Sequence, residues 1–254
     1  MSEHRFTTPE PVELRVTIPA GKIAVETVDG DETLITISGD EKLLDQTIVE
    51  QRGGAIVVDF HGRRSLFGIN ISIGDFSLGG GRLDVRASIP HGSSAKLASA
   101  AADTKVAGRL LSLDSKTASG DLVVEAEVER EAVVKTVSGD ARLVVVGGDL
   151  RVQTVSGDVN AGSVGGSLVA KSVSGDVRVD SLREGHAQVQ SVSGDIDLGI
   201  APGSAIDVDA NSVSGDLSSE VPLAGTPDEI GAGGPTVVVR GKTVSGDFRV
   251  HRAA

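Results

Sequence analysis

Between Lys135 and Leu182 the chain reads KTVSGDARLVVVGGDLRVQTVSGDVNAGSVGGSLVAKSVSGDVRVDSL. Within it Ser-Gly-Asp occurs at Ser138-Gly139-Asp140, Ser156-Gly157-Asp158 and Ser174-Gly175-Asp176. Outward from this stretch the tripeptide recurs at Ser119-Gly120-Asp121, Ser193-Gly194-Asp195, Ser214-Gly215-Asp216 and Ser245-Gly246-Asp247. Successive aspartates are separated by 19, 18, 18, 19, 21 and 31 residues, and Asp103 precedes Asp121 by 18 as a degenerate member. Self-similarity at a fixed short period is the mark of a repeat architecture, so the unit is one coil of about 18 residues.

Each period holds a second, weaker half: GGDLRVQTV from Gly147, GGSLVAKSV from Gly165 and EGHAQVQSV from Glu184. In SGDVRVDSL the residues Val177 and Val179 alternate with polar neighbours, the period-two pattern of a half-buried strand. Val152, Ala170 and Val189 repeat it in the other half. Two strands and two corners per period predict an all-β fold, a two-sheeted parallel β-solenoid whose coils stack about 4.8 Å apart. Equivalent residues then form ladders. Leu122, Ala141, Val159, Val177, Ile196, Leu217 and Phe248 make one apolar row, and Val137, Val155, Val173, Val192, Val213 and Val244 make another beside a corner. The Ser-Gly and Gly-Gly steps are expected to supply backbone freedom at the corners.

Composition agrees with a thin aliphatic core. In 254 residues there are 33 Gly, five Phe and one Met, and no Trp, Tyr or Cys. Two facing sheets in a narrow coil leave little room for rings. Few aromatics also argue against sites that stack sugars or bases. The net charge of −12 disfavours nucleic acid and anionic lipid as partners. Absence of Cys removes disulfides, thiolate metal clusters and a cysteine nucleophile. Neither a signal sequence nor an apolar stretch of about 18 residues is visible, so direct membrane insertion is not expected and the cytoplasm is the expected compartment.

The first third is less regular, so residues 1–90 are expected to form an N-terminal β region continuous with the repeat solenoid of residues 91–254. Gly21, Gly30 and Gly39 are nine residues apart, and Ser38-Gly39-Asp40 matches the motif. TIVEQRGGAIVVDF predicts a hairpin turning at Gly53-Gly54. Residues 61–81 and 220–235 read as loop excursions, and Phe248 with its strand is expected to cap the C-terminal end.

The motif residues are the candidate site: Asp121, Asp140, Asp158, Asp176, Asp195, Asp216 and Asp247, with Gly120, Gly139, Gly157, Gly175, Gly194, Gly215 and Gly246. Carboxylates 4.8 Å apart repel by roughly 1 kcal/mol per neighbour even in water, so the row needs compensation. Backbone N–H groups of each corner are the expected source. Lys116, Lys135, Lys171 and Lys242, each five residues before a motif aspartate, suggest a basic ladder alongside. A shared cation is the functional alternative. The calcium-binding nonapeptide repeat is a poor match, because alternate acids are replaced by Ser167, His186 or Ala205 and calcium takes six or more oxygens.

Thr117, Thr136, Thr154, Ser172, Ser191, Ser212 and Thr243 form a hydroxyl row whose parity places it inward, finishing a corner; outward it would resemble an ice-binding surface. The histidines His4, His61, His91, His186 and His251 are scattered, with no zinc pair or Ser/His/Asp spacing. Asp195 and Asp197 are paired carboxylates without an aromatic platform. Gly79-Gly80-Gly81 lacks a phosphate-loop lysine. No catalytic, cofactor-binding or metal-binding residues are assigned, and no enzymatic activity is expected.

The repeated T-V-S-G-D-V-x-V units, with F-x-T-P-E-P-V-x-L-x-V from Phe6 to Val16, resemble the bacterial putative-adhesin β-strand-repeat family, also called toastrack domains. The resemblance implies a β-solenoid of no known catalytic activity, linked to envelope-stress and membrane-signalling systems. The expected function is a non-enzymatic interaction scaffold whose partner is a protein, such as a membrane-associated signalling protein. Bactofilin-like self-assembly, and a surface adhesin or polymer binder, are the alternatives.

Overall fold

The computed structural model describes residues 1–60, 81–220 and 235–253. Both predicted excursions, 61–81 and 220–235, lie almost wholly outside them. The N-terminal elements are β1 (Ser2–Thr7), β2 (Glu13–Val28), β3 (Glu32–Gly39), α1 (Glu41–Leu44), β4 (Thr47–Arg52), β5 (Ala55–Phe60) and β6 (Leu83–Pro90). The repeats supply β7 (Ser94–Ala107), β8 (Arg109–Thr117), β9 (Leu122–Lys135), β10 (Ala141–Val146), β11 (Asp149–Gln153), β12 (Val159–Val164), β13 (Leu168–Lys171) and β14 (Val177–Leu182). The C-terminal elements are β15 (Gly185–Gln190), β16 (Ile196–Ile200), β17 (Ala205–Ser212), β18 (Leu217–Ser219), β19 (Thr236–Thr243) and β20 (Phe248–Arg252).

The stack is a two-sheeted parallel β-solenoid. On one face β9, β11, β13 and β15 pair in parallel, with Val152 beside Ala170 and Ala170 beside Val189. On the other, β9, β10, β12, β14 and β16 do the same, with Ala141 beside Val159 and Val159 beside Val177. Alternation sends every second residue inward, and the inward sets of both faces merge into one aliphatic core. The row from Leu122 to Phe248 is buried throughout except Leu217, half-exposed because its coil is terminal. The valine row differs. Val137, Val155, Val173, Val192 and Val244 are 44–49% exposed and Val213 is 81% exposed. All but Val213 follow a buried hydroxyl residue at the corner, so alternation turns them outward; Ser212, before Val213, is partly exposed on the terminal coil.

The C-terminal order corrects the expectation that Phe248 caps the stack. β19 pairs with both β15 and β17, and β20 with both β16 and β18. The last coil in sequence is therefore interposed between coil 185–200 and coil 205–219. Phe248 is buried inside the stack, and β17 with β18 forms the end.

At the N-terminus β2 runs across both faces and pairs in parallel with β7, β5 and β6. The hairpin of β4 and β5 is antiparallel with Arg52 opposite Ala55, and Gly53 has φ 59, the positive value that a II′ turn demands at its first central residue. β3 and β1 add antiparallel strands beyond β6. Ser38-Gly39-Asp40 is thus not a solenoid corner. It ends an antiparallel strand, and Asp40 caps α1 by accepting a hydrogen bond from the Lys42 N–H at 3.0 Å.

Candidate functional site

Each Ser-Gly-Asp corner is built from three layers of contact. Innermost, the row hydroxyl accepts a hydrogen bond from the motif glycine N–H: Thr117 from Gly120 and Thr136 from Gly139 at 3.0 Å, Thr154 from Gly157 at 3.0 Å, Ser172 from Gly175 and Ser191 from Gly194 at 2.9 Å. Thr154 and Ser172 also donate to the glycine carbonyl. The hydroxyl row therefore faces inward and closes the corner. Ser212 and Thr243 leave their hydroxyl oxygens without a hydrogen-bond partner among the described residues.

The glycines come next. None of the seven motif glycines has positive φ; the positive values belong to Gly21, Gly30, Gly39 and others. Backbone freedom is thus not what the motif requires, contrary to the expectation from its turn-like composition. A Cβ on Gly139 would collide with the carbonyl oxygen of Gly120, one on Gly157 with that of Gly139, and one on Gly175 with that of Gly157. Gly194, Gly246 and Gly215 continue the column in that order. Glycine is there because successive coils touch backbone to backbone.

Outermost are the aspartates. Asp140 donates its N–H to Asp121 Oδ1 at 3.0 Å, Asp158 to Asp140 at 2.9 Å, Asp176 to Asp158 at 3.0 Å and Asp195 to Asp176 at 2.8 Å. Asp247 then donates to Asp195 at 2.8 Å, and Asp216 to Asp247 at 2.9 Å. Asp103 begins the series with a longer contact, 3.4 Å, from the Asp121 N–H. The carboxylate is indeed an acceptor for backbone N–H, but from the next coil rather than its own corner. This ladder is a charge-assisted bond between coils, one per repeat. The lysines do not share it: Lys116 pairs with Asp114, and Lys135, Lys171 and Lys242 make no ion pair with a motif aspartate.

A shallow groove of about 350 Å³ at the C-terminal end is lined by Asp195, Asp197, Asp216, Asp247, Ser218, Ile196 and Arg249. Asp195 and Asp247 each give one carboxylate oxygen to the ladder, Asp197 Oδ1 lies 3.1 Å from His251 Nε2, and Asp216 ends the ladder with its N–H donated to Asp247. Among the described residues no three Asp, Glu or His side chains are grouped to hold a metal ion. No helix among the described residues is long and apolar enough to cross a membrane.

Away from this edge, Glu13 on β2 joins two coils through Lys96 Nζ on β7 at 2.9 Å and also contacts Arg15. The hydrogen bond from Lys96 holds its carboxyl below the ordinary range, with Arg15 assisting and partial burial opposing. Sequence reading missed this pair, because the β2–β7 register that brings position 13 beside 94 follows no visible repeat.

A stack of short parallel coils, stitched along one edge by Ser-Gly-Asp corners, defines this protein as a β-solenoid of the toastrack type. The chain belongs to the Toastrack DUF4097 family, whose model matches residues 10–161 and again 148–251. Matching twice, with an overlap, is what a repeated unit produces. A solved structure described as a putative lipid binding protein from Parabacteroides distasonis is similar over 100% of this chain and 96% of that one, with a TM-score of 0.51 and 11% identity. A putative adhesin from Bacteroides fragilis gives a TM-score of 0.45 at 15% identity, covering 98% and 96%. A putative adhesin from Parabacteroides distasonis gives 0.37 at 12%, covering 98% and 96%. No curated protein matches the chain.

Proposed function

We propose that this chain is a non-enzymatic interaction scaffold that docks a protein partner, and that the partner belongs to bacterial membrane signalling. The observation that carries the reading is the division of labour at the corners. From Thr136 to Asp195 the row hydroxyls, motif glycines and one oxygen of each motif aspartate are committed to hydrogen bonds or backbone contact that hold coils together. The valine beside them is left exposed on six of the seven repeats. A residue type that folding would bury, held in solvent at a regular spacing, is the feature expected of a contact surface. The compartment proposed is the cytoplasm.

The test is capture of the tagged protein from its native host after mild crosslinking. Recovery of membrane signalling proteins, lost when the exposed valines are replaced by serine, is the expected result. Recovery of this protein alone as a monomer would overturn the reading.

A second reading, end-to-end self-association, is favoured by one observation: β17 and β18 are each paired on one side only among the described residues. Two features work against it. Exposed Asp207 and Asp209 lie on that edge, and antiparallel β1 and β4 interrupt the parallel repeat at the other end. A mass in light scattering that grows with protein concentration would revive it.

A further inference from the structure

Three outward rows run side by side along the Ser-Gly-Asp edge: valine, serine and aspartate. In stacking order the valines are Val137, Val155, Val173, Val192, Val244 and Val213, and all are exposed. The seven motif aspartates are exposed, six of them give one oxygen to the ladder, and none makes an ion pair among the described residues. One edge thus offers an apolar stripe parallel to an acidic stripe, both repeating once per coil, about 4.8 Å.

That spacing selects among partners. An extended strand laid along the edge places same-side residues about 6.7 Å apart and falls out of register within two coils. An α-helix advances about 5.4 Å per turn, so one turn falls opposite one coil, and the mismatch grows to only about 2.4 Å over four turns. Lysine and arginine stems are flexible enough to absorb that.

We propose that the valine–aspartate edge is a docking surface for a basic amphipathic α-helix of a partner protein. Its apolar stripe packs on Val137, Val155, Val173 and Val192, and its adjacent Lys/Arg stripe faces Asp140, Asp158, Asp176 and Asp195. Serine hydroxyls between the rows, such as Ser156 and Ser174, lean on the preceding coil's carbonyls and keep the surface level. The inference rests on the scaffold reading and names its partner's chemistry.

The probe is a fluorescent 18-residue peptide of Leu, Lys and Ala with leucine and lysine on neighbouring helical stripes, compared with a peptide of the same composition shuffled to abolish the stripes. Polarisation is read against the whole protein. The striped peptide is expected to bind at least about tenfold more tightly than the shuffled one. Asp158→Asn with Asp176→Asn and Asp195→Asn keeps each Oδ1 acceptor, so the stack remains folded by circular dichroism, and it is expected to weaken binding about tenfold. Val155→Ser with Val173→Ser and Val192→Ser is expected to do the same. Removing three charges elsewhere, with Glu26→Gln, Asp84→Asn and Glu129→Gln, changes binding by less than about threefold.

Equal affinity for the two peptides, equal losses in the edge and control variants, or no saturable binding overturns the proposal, because general attraction to an acidic protein then explains everything. A partner captured through another surface while the edge is silent overturns this docking site and leaves the scaffold reading standing. A protein that captures nothing loses both.

Discussion

Replacing Gly157 by alanine tests the claim that the motif glycines exist for close approach. The new Cβ would sit closer than 3.0 Å to both the carbonyl oxygen and the carbonyl carbon of Gly139, and 3.3 Å from Thr154 Oγ1. The opposing atoms are backbone of a neighbouring coil, so relief requires the two coils to part at that corner. Two bonds cross there, Asp158 N–H to Asp140 Oδ1 at 2.9 Å and Ser156 N–H to the Val137 carbonyl at 2.9 Å. Weakening both costs about 1–3 kcal/mol, and steric overlap adds about 1–3 kcal/mol. Reduced entropy of the unfolded chain returns about 0.4–1 kcal/mol. The net expectation is a loss of about 2–4 kcal/mol, or a fall in Tm of roughly 5–15 °C for a chain of this size. Gly54 is the control: its turn position has no heavy atom within 4 Å of an added Cβ and no positive φ. Gly54→Ala is expected to be neutral or stabilising by up to about 1 kcal/mol. Urea unfolding followed by far-ultraviolet circular dichroism measures both. A Gly157→Ala midpoint equal to that of the wild type would refute the backbone-contact account.

Other consequences concern the ladder, the Glu13–Lys96 pair and the chain order. Asp158→Ala removes the acceptor of the Asp176 N–H and is expected to cost about 0.5–1.5 kcal/mol in urea melts, while Asp158→Asn, which keeps the oxygen, stays within about 0.5 kcal/mol of wild type. The depressed carboxyl of Glu13 gives stability that is present above its unfolded pKa of about 4.3 and is lost as pH falls through the lower folded value. Glu13→Gln should therefore be less stable than wild type at pH 7 by up to about 1 kcal/mol, with the gap closing toward pH 3; a gap independent of pH would count against the Lys96 bond. A chain ending at Glu220 loses the interposed coil with Val237, Val239, Phe248 and Val250 of the core. Hydrogen exchange should then show β15 to β18 losing protection, restored by adding residues 235–254 as a peptide; unchanged protection would contradict the observed order.

The sequence alone determined the architecture. The 18-residue spacing of Ser-Gly-Asp, with alternation on both halves, forces two strands per coil, because any other period would turn Val159 and Val177 out of the core while burying their polar neighbours. It also placed the hydroxyl row inward by parity, and the resemblance it carried was to the family the chain belongs to. Tertiary structure decided what a linear pattern cannot express. Val155 and Val159 are the same residue type four positions apart, yet one faces solvent and the other the core, because the corner between them, not the strand, sets direction. The motif glycine reads as a turn residue until the carbonyl of the preceding coil is seen against it. Coil order is the clearest case. Asp216 precedes Asp247 in the chain but follows it in the ladder, since near-identical repeats can stack in more than one order and only the pairing of β19 and β20 between their neighbours selects this one.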